Sequence, residues 1–330
     1  METMPEEAAR INELASAYKK SQVLFTALDA GVFPLLEEAR TADAVAAALG
    51  WHPRGIRMLL DGLVALDLAT KESGRYRNTP AASACLVPGG SDYVGHIVRH
   101  QHGAYDAYAG LADAVRDGGQ AGRPPRRRTP GELESFILGM ADLGRRAAQA
   151  ILDLVDLSAY RNMLDVAGGP GTYSAAFVQR HEGLRATIMD RPGVIDIARQ
   201  QIREAGLDGR FTFIAGDVLA DDMGAGYDLI LASNIIHAYG HEANRLLFKR
   251  CFAAMAPGGL LVINDFLVDD GRTGPPECLL FAIHMLVMTT TGGDTYTFAD
   301  VEAWTRDAGF VDGRPLTASP RPRLWLARKP

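Results

Sequence analysis

Several features that mark particular classes of protein are scarce or missing in this sequence. Its 330 residues contain only three cysteines, Cys85, Cys251 and Cys278, which suggest neither a disulfide framework nor a metal-binding pair. No apolar run reaches the roughly 18 residues that cross a bilayer, and the acidic first residues lack the apolar core of a signal peptide. The net charge of −6 argues against general nucleic-acid binding. These absences predict a cytoplasmic protein that binds neither membrane nor nucleic acid.

What the sequence does contain is a glycine-rich turn between a predicted strand and a predicted helix. Met163–Val166 is predicted to be a short buried strand, and Thr172–Arg180 the start of a helix. Without β-carbons, the turn between them lets a ligand approach the backbone. Asp165 precedes the glycines at a spacing that resembles the first motif of class I S-adenosylmethionine (SAM)-dependent methyltransferases. A dinucleotide fingerprint would instead place a third glycine at Ser174.

From this turn onward, predicted strands and helices alternate, which is typical of a parallel sheet with helices on both faces. After Phe310 the last segments are predicted to form an antiparallel pair at the sheet edge. Ligands of such sheets bind outside the carboxyl ends of the strands. The predicted strands are Met163–Val166, Ala186–Met189, Phe211–Ile214, Asp228–Ser233 and Leu260–Phe266.

Polar or glycine-rich residues follow the first four strands, and we predict that they bind the methyl donor. Asp190 follows the second strand, where its carboxylate can accept both hydroxyl protons of a ribose, although this would also suit NAD. Asp217 and Val218 suit the edge and face of an adenine, while a helix cap is the alternative for Asp217. The predicted donor-binding residues are Asp165, Gly168, Gly169, Gly171, Asp190, Gly216, Asp217, Val218, Ser233 and Asn234.

His237, just past the fourth strand, is the predicted general base. Its imidazole has a reference pKa near 6.5, which suits proton removal at neutral pH. Methyl transfer from a sulfonium needs little beyond a deprotonated acceptor and correct alignment. Asp265, at the end of the fifth predicted strand, is the acid expected to fix the tautomer of His237. The alternatives are a structural or substrate-orienting histidine, and a cap or surface acid at Asp265.

The N-terminal third has a winged-helix pattern. Thr41 is the predicted N-cap of a helix over Ala42–Leu49, which Gly50 ends. A second helix is predicted from Pro53 to Leu68, and Thr70–Thr79 is predicted to form a hairpin. Because the second helix carries few basic residues, we favour packing or dimerisation over DNA binding for this region.

A basic, proline-rich connector and a long helix are predicted to join the two halves. Arg123–Arg128 is interpreted as a solvated loop, and Gly131–Leu154 as the linking helix. Phe136 and Met140 lie one turn apart on that helix, so they either face the methyl donor or pack in the core. His96 and His100 share a helix face, where pocket or core histidines are favoured over a metal site.

Taken together, the motifs resemble those of the small-molecule O-methyltransferase family, which includes plant caffeate, acetylserotonin and bacterial antibiotic-tailoring enzymes. The resemblance covers nearly the whole chain. It implies an α/β fold: a class I methyltransferase Rossmann-like sheet with an N-terminal all-helical winged-helix dimerisation domain. The implied domains are 1–115 for dimerisation, 116–154 for the connector and linking helix, and 155–330 for catalysis. The matching segments are Leu164–Gly171, Asp190–Pro192, Gly216–Val218, His237–Glu242, Pro257–Gly259 and Gly292–Gly293.

The resemblance also implies the reaction and the partners. A homodimer would transfer a methyl group from SAM to a hydroxyl of an aromatic or polyketide-like small molecule, leaving S-adenosylhomocysteine (SAH). C- or N-methylation, or SAM binding without transfer, are the alternatives. Relative to the family, Ala238 replaces an Asp, Tyr239 a Trp, Ser233 an often basic residue and Thr295 a second supporting carboxylate.

An acceptor pocket is the last feature that the resemblance implies. The pocket residues are apolar or aromatic, which suggests a flat, partly apolar acceptor. His284 is expected to contact the acceptor; the alternatives are core packing and a metal site with Asn234 and His237. No metal is predicted. The predicted pocket residues are Tyr105, Phe136, Met140, Phe281, His284, Met285, Met288 and Tyr296.

Overall fold

The computed structural model describes residues 5–119, 129–289, 292–318 and 322–330. Its contacts divide the chain into two compact units, Met1–Gly103 and Ala104–Pro330. The connector predicted at Arg123–Arg128 lies outside the described residues. In the described parts of the chain, no helix is both long and apolar enough to cross a membrane.

The first unit combines helices with a small antiparallel sheet of order β1-β3-β2. The sheet includes the predicted hairpin and an added short strand, so the description of this domain as all-helical is wrong. Its elements are α1 (Glu6–Ser16), α2 (Tyr18–Asp29), α3 (Val32–Leu35), β1 (Arg40–Thr41), α4 (Ala42–Leu49), α5 (Pro53–Ala65), β2 (Ala69–Glu72), β3 (Arg75–Asn78), α6 (Pro80–Leu86) and α7 (Gly95–Tyr108), which ends in the second unit.

Local signals fix the ends of these helices. The Thr41 side chain accepts a hydrogen bond from the Ala44 N–H, and Gly50 ends α4 in a left-handed conformation, as predicted. The next helix, α5, stops three residues before the predicted Leu68. There Asp67 has φ +55° and the Leu68 N–H donates to the Leu63 carbonyl, which turns the chain into β2.

The second unit contains the large sheet and the helices that cover it. The predicted long helix is confirmed as α9, which begins with a capping box between Thr129 and Glu132. The elements are α8 (Leu111–Asp117), α9 (Pro130–Leu154), β4 (Asn162–Val166), α10 (Thr172–Arg180), β5 (Arg185–Asp190), α11 (Pro192–Glu204), β6 (Phe211–Ala215), β7 (Tyr227–Ser233), α12 (His241–Ala254), β8 (Met255–Asn264), α13 (Pro276–Met288), α14 (Phe298–Ala308), β9 (Val311–Thr317) and β10 (Arg323–Arg328). Short 3-10 turns cover Asp208–Arg210 and Ile236–Ala238.

The sheet has the order β6-β5-β4-β7-β8-β10-β9. The first five strands of this order run parallel, and β10 lies antiparallel between β8 and β9. This confirms the predicted parallel sheet and the antiparallel pair at its end. The parallel arrangement brings the carboxyl ends of β4, β5, β6 and β7 to one edge.

One strand differs from its prediction. The fifth strand was expected over Leu260–Phe266 after a turn, but β8 begins at Met255 and ends at Asn264. Tyr227 pairs with Met255 and Leu229 with Leu260, so the intervening residues of β8 form a bulge that keeps the strand paired. Asp265 therefore lies one residue past the strand, with its side chain free to leave the ladder.

Two hydrophobic cores cover opposite faces of the sheet. Leu164 and Val166 of β4 pack in the core that α12 and α14 complete. Met163 packs in the other core, with α9, α10 and α11. Because side chains alternate along a strand, Asp165 lies on the same face as Met163, beside the start of α10.

Candidate active site

The glycine turn after β4 is shaped by close contacts that a β-carbon would disrupt. A β-carbon on Gly168 would lie 2.6 Å from the Asp165 carboxyl carbon, and one on Gly171 would lie 2.6 Å from Ile188 Cδ1. Gly169 and Gly171 also have φ values of +56° and +78°, which favour glycine. The turn therefore forms a cradle open to a ligand at the N-terminus of α10, where main-chain N–H groups favour polar groups.

Asp165 is a buried acid with one unused oxygen. The residue is 1% exposed, and Oδ2 has no hydrogen-bond partner among the described residues. Burial raises the pKa of Asp165 to about 7; hydrogen bonds from Ser174 oppose this rise, and the charge of Asp190 adds to it. A buried, unpartnered acceptor beside a glycine cradle fits a polar or cationic ligand that enters the turn.

Asp190 joins the tip of β5 to this turn. Its Oδ2 accepts the Gly169 N–H at 2.9 Å, and its Oδ1 accepts the Arg191 N–H at 2.7 Å. Burial raises the pKa of Asp190, and these two backbone hydrogen bonds oppose the rise. Each carboxylate oxygen has two lone pairs, so each retains one for an added donor such as a ribose hydroxyl. These features fit the predicted donor role.

The tip of β6 continues into a tight turn that Asp217 and Asp221 organise. Asp217 Oδ1 accepts the Leu219 N–H at 2.8 Å, and the Asp217 N–H donates to Asp221 Oδ2. Oδ1 therefore organises its own turn, and Asp217 does not cap a helix, because β7 is the next described element after β6. Val218 is 4% exposed and packs in the hydrophobic core. A β-carbon on Gly216 would lie 2.9 Å from Asp221 Cβ, so the turn is tightly packed.

Ser233 and Asn234 belong to a hydrogen-bond network that the sequence did not predict. Asn234 Nδ2 donates to Ser233 Oγ and to the Tyr173 hydroxyl, both at 3.1 Å. Asn264 Nδ2 donates to Ser233 Oγ at 2.9 Å. The network ties α10, β7 and β8 together at the strand ends. Tyr173 stands two residues after Gly171, and this was the only sequence signal that could have drawn attention to it.

His237 and Asp265 form the hydrogen-bonded pair that the sequence predicted. His237 Nδ1 lies 2.7 Å from Asp265 Oδ1, and the two side chains are 14% and 2% exposed. Asp265 also accepts the backbone N–H groups of Ile236 and Phe266. Burial would raise the pKa of Asp265, but His237 and the backbone donors outweigh it and lower the pKa. A carboxylate only accepts, so Nδ1 donates the proton of this hydrogen bond, and in the neutral imidazole this tautomer leaves the lone pair on Nε2.

Aromatic rings surround His237. Phe266 and Phe281 stack with centroids 3.6 Å apart, and the His237 ring stands nearly perpendicular to both. His284 stacks on Phe281 at 5.5 Å, and Tyr108 lies 6.1 Å from His284. Burial lowers the pKa of His284, and the nearby charge of His237 adds to the effect. The structure thus places predicted Phe281 beside His237 and predicted His284 on Phe281. Phe266 and Tyr108, which were not predicted, belong to the same set of rings.

Tyr296, another predicted pocket residue, lies in the core. The Tyr296 ring packs against Trp304 in the core, and its hydroxyl donates to the Tyr239 carbonyl. This environment argues against acceptor contact and favours packing. Met285 is buried, Phe136, Met140 and Met288 are half-buried, and Tyr105 is exposed.

Metal binding and DNA binding gain no support from the described residues. No group of three or more His, Cys, Asp or Glu side chains in these parts of the chain could hold a metal ion. Asp61 pairs with Arg57 of α5 and with Lys71 of β2, at 3.0 and 2.7 Å. Two basic residues of the winged-helix pattern are therefore engaged within the domain.

The sheet order, the glycine turn after β4 and the acid at the tip of β5 define a class I methyltransferase. Comparisons extend this conclusion. Residues 108–311 match the family model of the O-methyltransferase domain, and residues 12–88 that of the O-methyltransferase dimerisation domain. The chain belongs to the SAM-dependent O-methyltransferase family.

Individual relatives match along nearly their whole length. The chain is 36% identical over 320 residues to 3-hydroxy-5-methyl-1-naphthoate 3-O-methyltransferase of Streptomyces sahachiroi, covering 94% of this chain and 92% of the relative. It is 34% identical over 339 residues to acetylserotonin O-methyltransferase of Bos taurus, covering 97% of each. The crystal structure of human N-acetylserotonin methyltransferase in complex with SAM superposes with a TM-score of 0.90 at 28% identity, covering 100% of this chain and 99% of that chain.

Proposed function

We propose that this enzyme methylates a hydroxyl of an aromatic small molecule and that His237 is the general base. The observation that carries the proposal is the 2.7 Å hydrogen bond between His237 Nδ1 and Asp265 Oδ1. It fixes the tautomer in which Nε2 can take a proton. The low pKa of Asp265 keeps its carboxylate charged, so it stabilises the imidazolium that forms.

The strand tips supply the binding side of the reaction. When bound, SAM supplies a methyl group on a positively charged sulfur that leaves readily. Asp190 is suited to the ribose hydroxyls, because both of its oxygens lie at the strand tip with lone pairs to spare. The cradle of Gly168, Gly169 and Gly171 allows close approach of the backbone, and Asp165 offers an unpartnered acceptor. Asp217, Ser233 and Asn234 complete the proposed donor site.

The acceptor side is built from rings and a second imidazole. Phe281, His284 and Tyr108 give this side flat, weakly polar surfaces, which suit a planar aromatic acceptor. Burial lowers the pKa of His284 and so favours the neutral imidazole, which can both donate and accept a hydrogen bond. The naphthoate named for one relative and the acetylserotonin named for another are both flat aromatic molecules. We therefore propose a fused-ring phenol or hydroxy acid as acceptor.

We also propose that the enzyme acts as a homodimer paired through its N-terminal domain, residues 1–115. The match to the dimerisation domain supports this pairing. The free thiols of Cys85, Cys251 and Cys278 suit the cytoplasm as the working compartment.

The test is the position of the transferred methyl group. Purified enzyme is incubated with methyl-deuterated SAM and a panel of hydroxynaphthoic acids, and the products are located by mass spectrometry and NMR. The matched control acceptors carry hydrogen or an amino group in place of the hydroxyl. We expect label on oxygen only; label on carbon or nitrogen, or SAM left unconsumed across the panel, would reject O-methylation.

A further inference from the structure

The loop that carries His237 is pressed against a second segment of the chain, Gly292–Thr297. The Asp294 N–H donates to the His237 carbonyl at 3.1 Å. Two residues further along both segments, the Tyr296 hydroxyl donates to the Tyr239 carbonyl. We call Gly292–Thr297 the clamp segment and Ser233–Tyr239 the histidine loop. The clamp segment donates hydrogen bonds to two carbonyl groups of the histidine loop.

Gly293 allows this contact through its lack of a side chain. A β-carbon on Gly293 would lie 2.4 Å from the His237 carbonyl oxygen and 3.0 Å from Thr289 Oγ1. Gly293 is not among the residues with positive φ, so the requirement for glycine comes from space. Ordinary van der Waals contact begins near 3.4 Å. An added methyl group must therefore push the two segments apart by about 1 Å.

The clamp segment is itself fixed by contacts with Val268 and with α14. The Val268 N–H donates to the Tyr296 carbonyl at 2.9 Å, and Thr297 forms a bridge to Val268. Thr297 is also the N-cap of α14, within a capping box. These contacts limit how far the segment can retreat from the histidine loop.

The histidine loop is held from the other side as well. The Ile236 N–H donates to Asp265 Oδ2, and Asn244 Nδ2 donates to the Ile236 and Tyr239 carbonyls. A push from Gly293 would therefore act on the same few residues that aim the imidazole at the acceptor. The family's second supporting carboxylate is Thr295 here, whose buried hydroxyl has no hydrogen-bond partner among the described residues.

We propose that Gly293 is a positioning residue: the clamp segment sets the aim of the His237 imidazole through main-chain contact, where a second carboxylate is missing. The inference rests on the proposed role of His237 as base. It concerns how that base is held, and it leaves donor binding to the strand tips.

The test compares Gly293→Ala with Gly271→Ala. Gly271 is exposed, and a β-carbon there would meet nothing closer than 3.7 Å, so this variant is the matched control. Because a shift of about 1 Å can cost about a hundredfold in rate, we expect kcat of Gly293→Ala to fall about a hundredfold. The Kd for SAH, measured by calorimetry, should stay within twofold, and Gly271→Ala should match the unmodified enzyme in both. Unchanged kcat in a folded Gly293→Ala would overturn the proposal.

A spectroscopic readout separates positioning from general damage. The proton that His237 Nδ1 shares with Asp265 should give a downfield NMR resonance, assigned by its loss in Asp265→Asn. We expect Gly293→Ala to shift or broaden this resonance while Gly271→Ala preserves it. An unaltered resonance in Gly293→Ala would reject the clamp, even if His237 proved not to be the base. Unchanged turnover in His237→Gln would instead reject the base.

A milder variant covers the case in which Gly293→Ala does not fold. Tyr296→Phe keeps the ring packed on Trp304 and removes only the hydroxyl that holds the Tyr239 carbonyl. Losing one neutral hydrogen bond predicts a fall in kcat of about fivefold with an unchanged Kd for SAH. Full turnover in Tyr296→Phe would contradict the clamp.

Discussion

Asp165 and Asp265 are buried almost equally, yet their surroundings shift their pKa values in opposite directions. Asp165, in β4, is 1% exposed and has a pKa raised to about 7, and one of its oxygens is unpartnered. Asp265, after β8, is 3% exposed but accepts from His237 and two backbone N–H groups, which lower its pKa. Burial is common to both, so the difference comes from the partners.

The comparison extends to the two regions that these acids serve. The strand-tip region comprises Asp165, Gly168–Gly171, Asp190 and Gly216–Val218, and burial disfavours the charge of two of its acids, Asp165 and Asp190. The histidine loop, Ser233–Tyr239, is paired with Asp265, whose carboxylate already accepts a hydrogen bond from the His237 imidazole. The strand-tip region has acids that a ligand could partner, whereas the histidine loop already has the hydrogen bond that the proposed proton transfer requires.

The largest effect is expected in the histidine loop. Replacing His237 with Gln removes the proposed proton acceptor, so we predict that kcat falls about a thousandfold. The Kd for SAH, measured by calorimetry, should stay near that of the unmodified enzyme, since the strand tips are untouched. His181→Gln is the control, because His181 is the C-cap of α10 and precedes β5, at the edge of the sheet opposite the strand tips. Equal loss of turnover in both variants would show that the effect is not specific to His237.

The next effect concerns the stability of the strand-tip region. The folded protein holds a proton on Asp165 up to pH about 7, whereas its ordinary pKa is 3.8. The folded state therefore binds more protons than the unfolded state between these values, and stability is lost as the pH rises through them. We predict that Asp165→Asn without ligand raises the free energy of unfolding at pH 8 by at most about 4 kcal/mol, with no gain below pH 4.

Chemical denaturation at pH 4 and pH 8 measures this difference. Asp106→Asn, at an exposed acid, serves as control and should change neither value. A gain from Asp165→Asn that was equal at both pH values would show that the proton on Asp165 is not its source.

A smaller effect is expected when the acid of β5 is removed. Asp190→Ala should weaken SAM and SAH binding by about tenfold to a hundredfold, because charge-assisted hydrogen bonds to a ribose are lost. Calorimetry measures the Kd, and the exposed Asp196→Ala on α11 is the control. Donor affinity equal to that of the unmodified enzyme would exclude Asp190 from the donor site.

The smallest effect tests whether Thr295 replaces the second carboxylate. Its hydroxyl is buried without a hydrogen-bond partner in the described structure, so Thr295→Val should stabilise the fold by about 1 kcal/mol and leave kcat unchanged. Thr305→Val is the control, since Thr305 Oγ1 donates to the Val301 carbonyl and its loss should not stabilise. Reduced turnover in Thr295→Val would assign the hydroxyl a part in catalysis.

The features predicted correctly depend on short stretches of sequence. The caps of α4, the hairpin at Ser73-Gly74 and the glycine turn each follow from a few neighbouring residues. The pairing of His237 with Asp265 joins distant residues, but the chemistry of a general base required an acid behind the imidazole. That requirement, together with the strand-end position of Asp265, was enough to find it.

The features that were missed depend on contacts between distant residues. The bulge in β8 is set by its pairing with β7, so Pro257–Gly259 resembled a turn when taken alone. Tyr296 was assigned to the pocket, but its place is decided by Trp304 and the Tyr239 carbonyl. The network of Tyr173 and Asn264 likewise requires α10, β7 and β8 to meet.

The position of β10 has a consequence for synthesis of the chain. This strand hydrogen-bonds to β8 on one side and to β9 on the other, although both of them are translated before it. Until Arg323–Arg328 leaves the ribosome, β8 and β9 each have an edge of unpaired backbone N–H and C=O groups. Strands of other nascent chains can pair with such an edge. Translation that stalls in this interval would yield the form of the protein most prone to aggregate.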